Sequence, residues 1–188
     1  MNILPVRHPA ESEYDMQDDI AHTLSIRQWY NQSGYEYHNG EVFREVKIPD
    51  IGRISDIIVF VTDRKIINVE CKLLDYTTVL EQAKDHLKWC DYSYICLHAD
   101  AYIPGYITYK ILKAGIGLIA WRKGEKPTEV IQAYWNKNKD KELRTQVLAI
   151  LKKKKKDKKR EAEASKHIQN EINYDYGTES SKKEGSKA

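Results

Sequence analysis

The chain has 188 residues, 41% hydrophobic and 31% charged, with a formal net charge of +3, which suits one folded domain carrying a polar extension. No run of eighteen apolar residues occurs, which excludes a membrane-spanning helix, and the start MNILPVRHPAESEY lacks the apolar stretch of an export signal. Cys71, Cys90 and Cys96 have no CxxC spacing, which argues against a zinc site or a disulfide framework and for a reducing, cytoplasmic setting.

The charge is unevenly placed. Of 31 basic and 28 acidic residues, twelve and seven lie from Leu151 onward, giving +5 there; 19 and 21 remain, giving −2, in residues 1–150. This predicts a near-neutral folded part, residues 1–150, and a basic tail, residues 151–188.

In chain order, EYDMQDDIAHTLSIRQWYNQSG reads as a helix. Met16, Ile20 and Leu24 recur at i+4, and Gly34 suits its stop. YEYHNGEVFREVKI reads as extended chain with a turn at Asn39-Gly40. GRISDIIVFVTDRKIINVECKLL reads as two strands joined near Thr62-Asp63-Arg64. Alternation places Asp56, Ile58 and Phe60 on one face of the first strand, and Ile66, Asn68, Glu70 and Lys72 on one face of the second.

A helix follows, with Thr78 and Glu81 spaced as a capping box and Ala83, Leu87 and Cys90 at helical intervals. YSYICLHA reads as a strand and PGYITYKILKAG as a short helix closed by Gly115. IGLIAWRKGEKPTEVIQAYW reads as a hairpin turning near Gly124, and DKELRTQVLAILKKKK as a last helix running into the tail. Beyond about residue 152 little is available to bury, so disorder is expected there. The order of elements predicts an α/β domain with helices flanking a central mixed β-sheet.

Two carboxylates stand out. Asp56 lies in the apolar strand ISDIIVF and Glu70 near the end of KIINVE, where burial of either charge is costly without compensation. Paired as a hairpin, these strands would bring the two acids together. Close carboxylates repel, and one takes up a proton unless a cation neutralises them. Magnesium or manganese would do so through carboxylate oxygens, water and a backbone carbonyl, for which Cys71 is placed. Lys72, two residues past Glu70, is then either an ordinary ion-pair partner or a cation beside the metal that orients a water or stabilises phosphate charge.

Asp56, thirteen intervening residues and Glu70-Cys71-Lys72 together resemble the D…ExK signature of the PD-(D/E)xK nuclease superfamily. The resemblance covers about residues 13–121. The stretches GRISDIIVF, NVECKLLDY, AKDHLKWCDYSYICL and AGIGLIAW are similar to a small repair-associated branch, the MmcB-like proteins. It implies a restriction-endonuclease-like core and magnesium-dependent hydrolysis of DNA in repair, recombination or phage biology, in a bacterial cell or a phage-infected host. Asp56 and Glu70 would be metal ligands, Lys72 the catalytic lysine, and Gln82 a helical glutamine that contacts substrate or metal-bound water.

A further acid from the first helix is expected among Glu13, Asp18 and Asp19, although Asp18 and Asp19 also suit a helix N-terminus. Glu45 is a candidate supporting acid or an exposed strand charge. Lys84 and Lys88, spaced i+4, are candidate phosphate contacts or solvated charges; His86, Trp89 and Tyr92 are candidate base-stacking groups, with Trp89 better suited to packing against the sheet. The run with Lys152, Lys153 and Lys154 suits sequence-independent attachment to nucleic acid. The alternative is the same fold without catalysis, serving as a DNA-binding or scaffold protein. Homodimerisation is left open.

Overall fold

The computed structural model describes residues 11–27, 29–30, 36–37 and 40–180. The chain forms two units, Met1–Leu148 and Ala149–Ala188. Among the described residues no helix is long and apolar enough to cross a membrane.

The first unit begins with α1, Glu13–Ser25, whose start is fixed by Ser12 and Asp15 bonding each other's backbone N–H. α1 ends at Ser25, well before Gly34, which lies outside the described residues. The Ile26 N–H closes on the His22 carbonyl, which the Ser25 hydroxyl also takes at 2.7 Å. Two short strands, β1 (Trp29–Tyr30) and β2 (Glu36–Tyr37), pair antiparallel. Asn39 of the expected Asn39-Gly40 turn is also outside the described residues.

Six strands follow: β3 (Glu41–Ile48), β4 (Arg53–Thr62), β5 (Lys65–Lys72), β6 (Tyr92–His98), β7 (Gly117–Trp121) and β8 (Thr128–Ile131). They form one sheet in sequence order. β3, β4 and β5 are antiparallel, β5, β6 and β7 parallel, and β8 returns antiparallel on β7. The parallel pairs need crossovers. These are α2 (Tyr76–His86) and α3 (Gly105–Ala114). The α2 cap is Asp75, which accepts the Thr78 N–H at 2.9 Å, rather than Thr78 itself. An Asp three residues ahead of that N–H is the better acceptor, so the helix starts earlier.

The result is a mixed α/β sheet covered on both faces. Met16, Ile20 and Leu24 of α1 pack with Ile57, Val59, Ile67 and Val69. Val79, Leu80 and Ala83 of α2 and Ile107 and Ile111 of α3 pack with Ile95, Leu97 and Leu118 on the other face. β5 sits centrally and is buried along nearly all its length, as expected of a strand covered on both sides. The three cysteines are free thiols inside this core.

Near the start of β5 the buried Asp91 carboxylate accepts the Ile66 N–H at 2.8 Å and pairs with Lys139 at 2.9 Å and Arg144 at 2.7 Å. A buried acid with two cations and a backbone donor is well compensated.

The last helix, α4, spans Lys141–Ser180. Its first turn is capped by Asp140, which accepts the Glu142 and Leu143 N–H groups. The expected disorder beyond residue 152 is therefore not found through residue 180. Lys, Glu, Ala and Arg are strong helix formers, and pairs such as Lys159–Glu163 at i,i+4 add to them. Scarcity of apolar residues speaks against a packed core, not against a helix.

Gly117 opens β7 under the ring of Tyr94. A Cβ there would meet Tyr94 ring carbons at 2.2 and 2.3 Å and the Ala133 backbone at 2.9 Å. Gly117→Ala is expected to destabilise the fold by about 1–3 kcal/mol through overpacking, seen as a lowered urea midpoint with unchanged slope; an unaltered midpoint would contradict this packing.

Candidate active site

β4 and β5 pair as a hairpin whose last rung toward the site is Ile57↔Val69. The next residues in register are Asp56 and Glu70. There the main-chain ladder gives way to side chains. Asp56 Oδ2 accepts the Cys71 N–H at 2.8 Å, and Glu70 Oε1 faces the Asp56 N–H at 3.4 Å. Each carboxylate thus reaches across to the other strand's backbone, and the two acids named from sequence are brought together.

The pairing is electrostatically costly. The Asp56 carboxyl is pushed up to about 6, first by burial and then by the charge of Glu70; the Cys71 N–H and Lys72 act the other way. Glu70 is fully buried. Its Oε2 has no hydrogen-bond partner, whereas native buried polar atoms are nearly always paired.

Glu70 is held from behind by α2. His86 Nε2 lies 3.1 Å from Glu70 Oε1 with both side chains buried, though the approach is off the line of a regular hydrogen bond. Trp89 Nε1 donates to His86 Nδ1 at 3.1 Å. Indole only donates, so Nδ1 is unprotonated and the imidazole carries its proton on Nε2, toward Glu70. His86 and Trp89, edge to face at 5.5 Å, are fully buried. They are therefore not available to stack on bases; the i+3 contact between them and the sheet claims both rings. Gln82, one turn before His86, carries a buried and unpartnered Oε1, and the i,i+4 spacing puts it on the same side of α2.

Lys72 closes β5. Its ammonium binds Glu13 Oε2 at 2.6 Å. Burial opposes its charge, but Glu13, Asp56 and Glu70 outweigh that and raise its pKa. Of the three first-helix acids, Glu13 is the one that reaches Lys72. Asp19 instead accepts Trp121 Nε1 at 2.9 Å, and Asp18 pairs with Arg44. Nothing local to Glu13 distinguishes it from these neighbours, since its partner lies 59 residues away.

Glu45 is exposed and adopts φ 49, in β3 at the break between the Arg44↔Ile57 and Val46↔Ser55 rungs. Lys84 pairs with Glu81 at 2.7 Å and Lys88 with Asp85 at 3.5 Å, so both are engaged with acids of their own helix. Lys152, Lys153 and Lys154 are exposed on α4. His86 was legible as a site residue only as a polar group on the buried stripe Val79, Ala83, His86, above the strand that carries Glu70.

A hard divalent cation fits what is present: two carboxylates from adjacent strands, an unpartnered buried oxygen on one of them, and the Cys71 carbonyl between Glu70 and Lys72. Among the described residues no group of three or more His, Cys, Asp or Glu side chains forms a ligand cage. Such an ion would complete its shell with water.

No family model matches the chain, and no curated protein matches it. Among solved structures it is similar to SPO1766, a protein of unknown function from Silicibacter pomeroyi, with TM-score 0.44 and 19% identity over 60% of this chain and 71% of that one.

The raised carboxyl gives a pH-dependent test. A folded-state pKa above the ordinary 3.8 means that the folded chain binds the extra proton. The cost of Asp56 is therefore absent below 3.8, grows as pH rises, and is complete above about 6. Asp56→Asn keeps an acceptor for Cys71 and removes the charge. In chelator it is expected to be about 1–3 kcal/mol more stable than the parent above that window and equal to it below. Urea unfolding on both sides of the window decides; a gain of the same size at every pH would contradict the assignment.

Proposed function

We propose that this chain is a metal-dependent nuclease of restriction-endonuclease-like fold that hydrolyses DNA phosphodiester bonds. Asp56 and Glu70 would hold magnesium or manganese, with the Cys71 carbonyl as a further ligand and Gln82 beside substrate or metal-bound water. The observation that carries this reading is the pair of carboxylates facing each other at the end of the β4–β5 hairpin, with one oxygen buried and unpartnered and Lys72 beside them. The element order supports it: a helix, a strand hairpin carrying the Asp and the ExK, a helix and a parallel strand.

The bound ion would supply Lewis acidity and a water of lowered pKa. The chain's own residues do the rest. The Asp56 N–H engages one oxygen of Glu70, with His86 close behind it, which leaves Oε2 for a ligand. The Cys71 N–H orients Asp56. Lys72 remains cationic at neutral pH, since its pKa is raised. It therefore suits stabilisation of charge on the scissile phosphate rather than abstraction of a proton.

Two outcomes are expected. Parent protein with magnesium or manganese nicks or degrades plasmid or linear DNA, and Lys72→Ala, folded as judged by circular dichroism, loses at least about 100-fold in rate. Manganese raises the melting temperature of the parent but not of Glu70→Gln, because only the folded parent offers the paired carboxylates. Full cleavage by a clean Lys72→Ala preparation removes the proposed role of Lys72.

The 2.6 Å Lys72–Glu13 pair favours a second reading, in which the lysine is spent on a structural contact and the fold binds DNA or scaffolds without cutting. Tight DNA binding with no cleavage of single-stranded, duplex or branched substrates would select it.

A further inference from the structure

α3 has one face that the core does not use. Ile107 and Ile111 are buried against the sheet. Away from them Tyr106 and Tyr109 are 59% and 63% exposed, and Tyr102 just before the helix is 80% exposed. Lys110 and Lys113 are exposed on the same helix, and the Lys110 ammonium stands 5.4 Å from the centre of the Tyr106 ring. Positions 106, 109, 110 and 113 follow helical spacing, so two rings and two ammonium groups share one strip of α3, with Tyr102 just ahead of it. Residues 101–121 contain no Asp or Glu.

The strip reaches back to the candidate active site. The Tyr76 hydroxyl at the start of α2 is pushed up first by burial, then by the neighbouring phenols of Tyr106 and Tyr102. The adjoining Asp75 carboxylate is held low first by its hydrogen bond from Thr78, and Lys72 is close enough to add to this. Tyr76 thus neighbours Tyr106 and Tyr102, and Lys110 stands over the Tyr106 ring, while Lys72 lies near Asp75, the residue before Tyr76.

Flat rings beside cations, with no acid on α3 itself, fit a ligand with flat apolar faces on an anionic backbone. Unpaired nucleic acid has both; in a duplex the base faces are hidden. An acidic peptide would use the lysines but not the ring faces. We propose that the outer face of α3 binds single-stranded nucleic acid, with bases stacked on Tyr106 and Tyr109 and phosphates held by Lys110 and Lys113. The strand then runs past Tyr76 toward Lys72. That direction rests on the nuclease reading above; the binding face itself does not. The substrate class follows: single strands, or duplexes with unpaired ends or gaps.

The test uses the full chain in chelator, so that cleavage plays no part. Fluorescence anisotropy compares a labelled thymidine oligonucleotide with a duplex of equal length. Tyr106→Ala/Tyr109→Ala is expected to weaken single-strand binding about 10-fold or more, the scale of losing stacked bases. Duplex binding, through basic residues elsewhere, should be unchanged. Tyr106→Trp/Tyr109→Trp should restore it, which separates stacking from folding. Lys110→Ala/Lys113→Ala should lower the slope of log affinity against log salt by about 1.4, two phosphates' worth. Unchanged single-strand affinity in the folded double tyrosine variant, or equal loss on both probes, overturns the proposal. Stacking-dependent binding by a chain that cuts nothing would keep this face and reject the nuclease; metal-dependent cutting with unchanged binding in the tyrosine variant would do the reverse.

Discussion

Where the β4–β5 ladder ends, two carboxylates take over the work of main-chain carbonyls. Asp56 and Glu70 each turn toward the opposite strand's N–H, and the exchange satisfies backbone donors that the splaying strands would leave bare. It also concentrates like charge in a half-buried place. Holding two acids there is costly without a compensating cation, and one oxygen of Glu70 is left buried without a partner. The remaining features of the site serve this exchange. α2 supplies His86 behind Glu70, Trp89 sets the tautomer of that imidazole, and α1 brings Glu13 to Lys72.

The charges around Lys72 also order the possible roles. Three acids keep its ammonium protonated, so it enters any reaction as a fixed positive charge. Its contact with Glu13 bridges the start of α1 to the end of β5. Nearby, Glu11 lies 2.8 Å from the Nε2 of His98 at the end of β6. The start of α1 is thereby tied by acids to the ends of two adjacent parallel strands, and a phosphate arriving at Lys72 would compete directly with Glu13.

Much of the fold and part of the site were legible in the sequence, for different reasons. β4, β5, β6 and β7 are apolar runs bounded by turn residues, and their period survives in the structure. Asp56 and Glu70 were conspicuous because charge is costly in such strands. What escaped was anything set by tertiary partners. The first helix was drawn too long because Arg27 to Gly34 holds no strong breaker before the glycine, whereas the chain turns into a strand at Trp29. The tail was expected to be disordered because burial was weighed and helix propensity was not. His86 suits base stacking from sequence alone, since nothing in a single sequence shows that Trp89 and Glu70 close over it. Glu13 could not be told from Asp18 or Asp19, because the choice is made by Lys72 and the turn on which each acid falls.

The ionic knot at Asp91 has a practical corollary. One carboxylate fastens the first residues of β5 to Lys139 and Arg144, while the Asn136 side chain reaches the Leu87 and Cys90 carbonyls. The stretch after β8 is therefore a clasp on the opposite end of the strand that carries Glu70 and Lys72. Shortening the chain to before residue 139 strips a sealed-in anion of both counter-charges and loosens β5 from its far end. Removing the lysine-rich extension without that damage means stopping no earlier than Leu148.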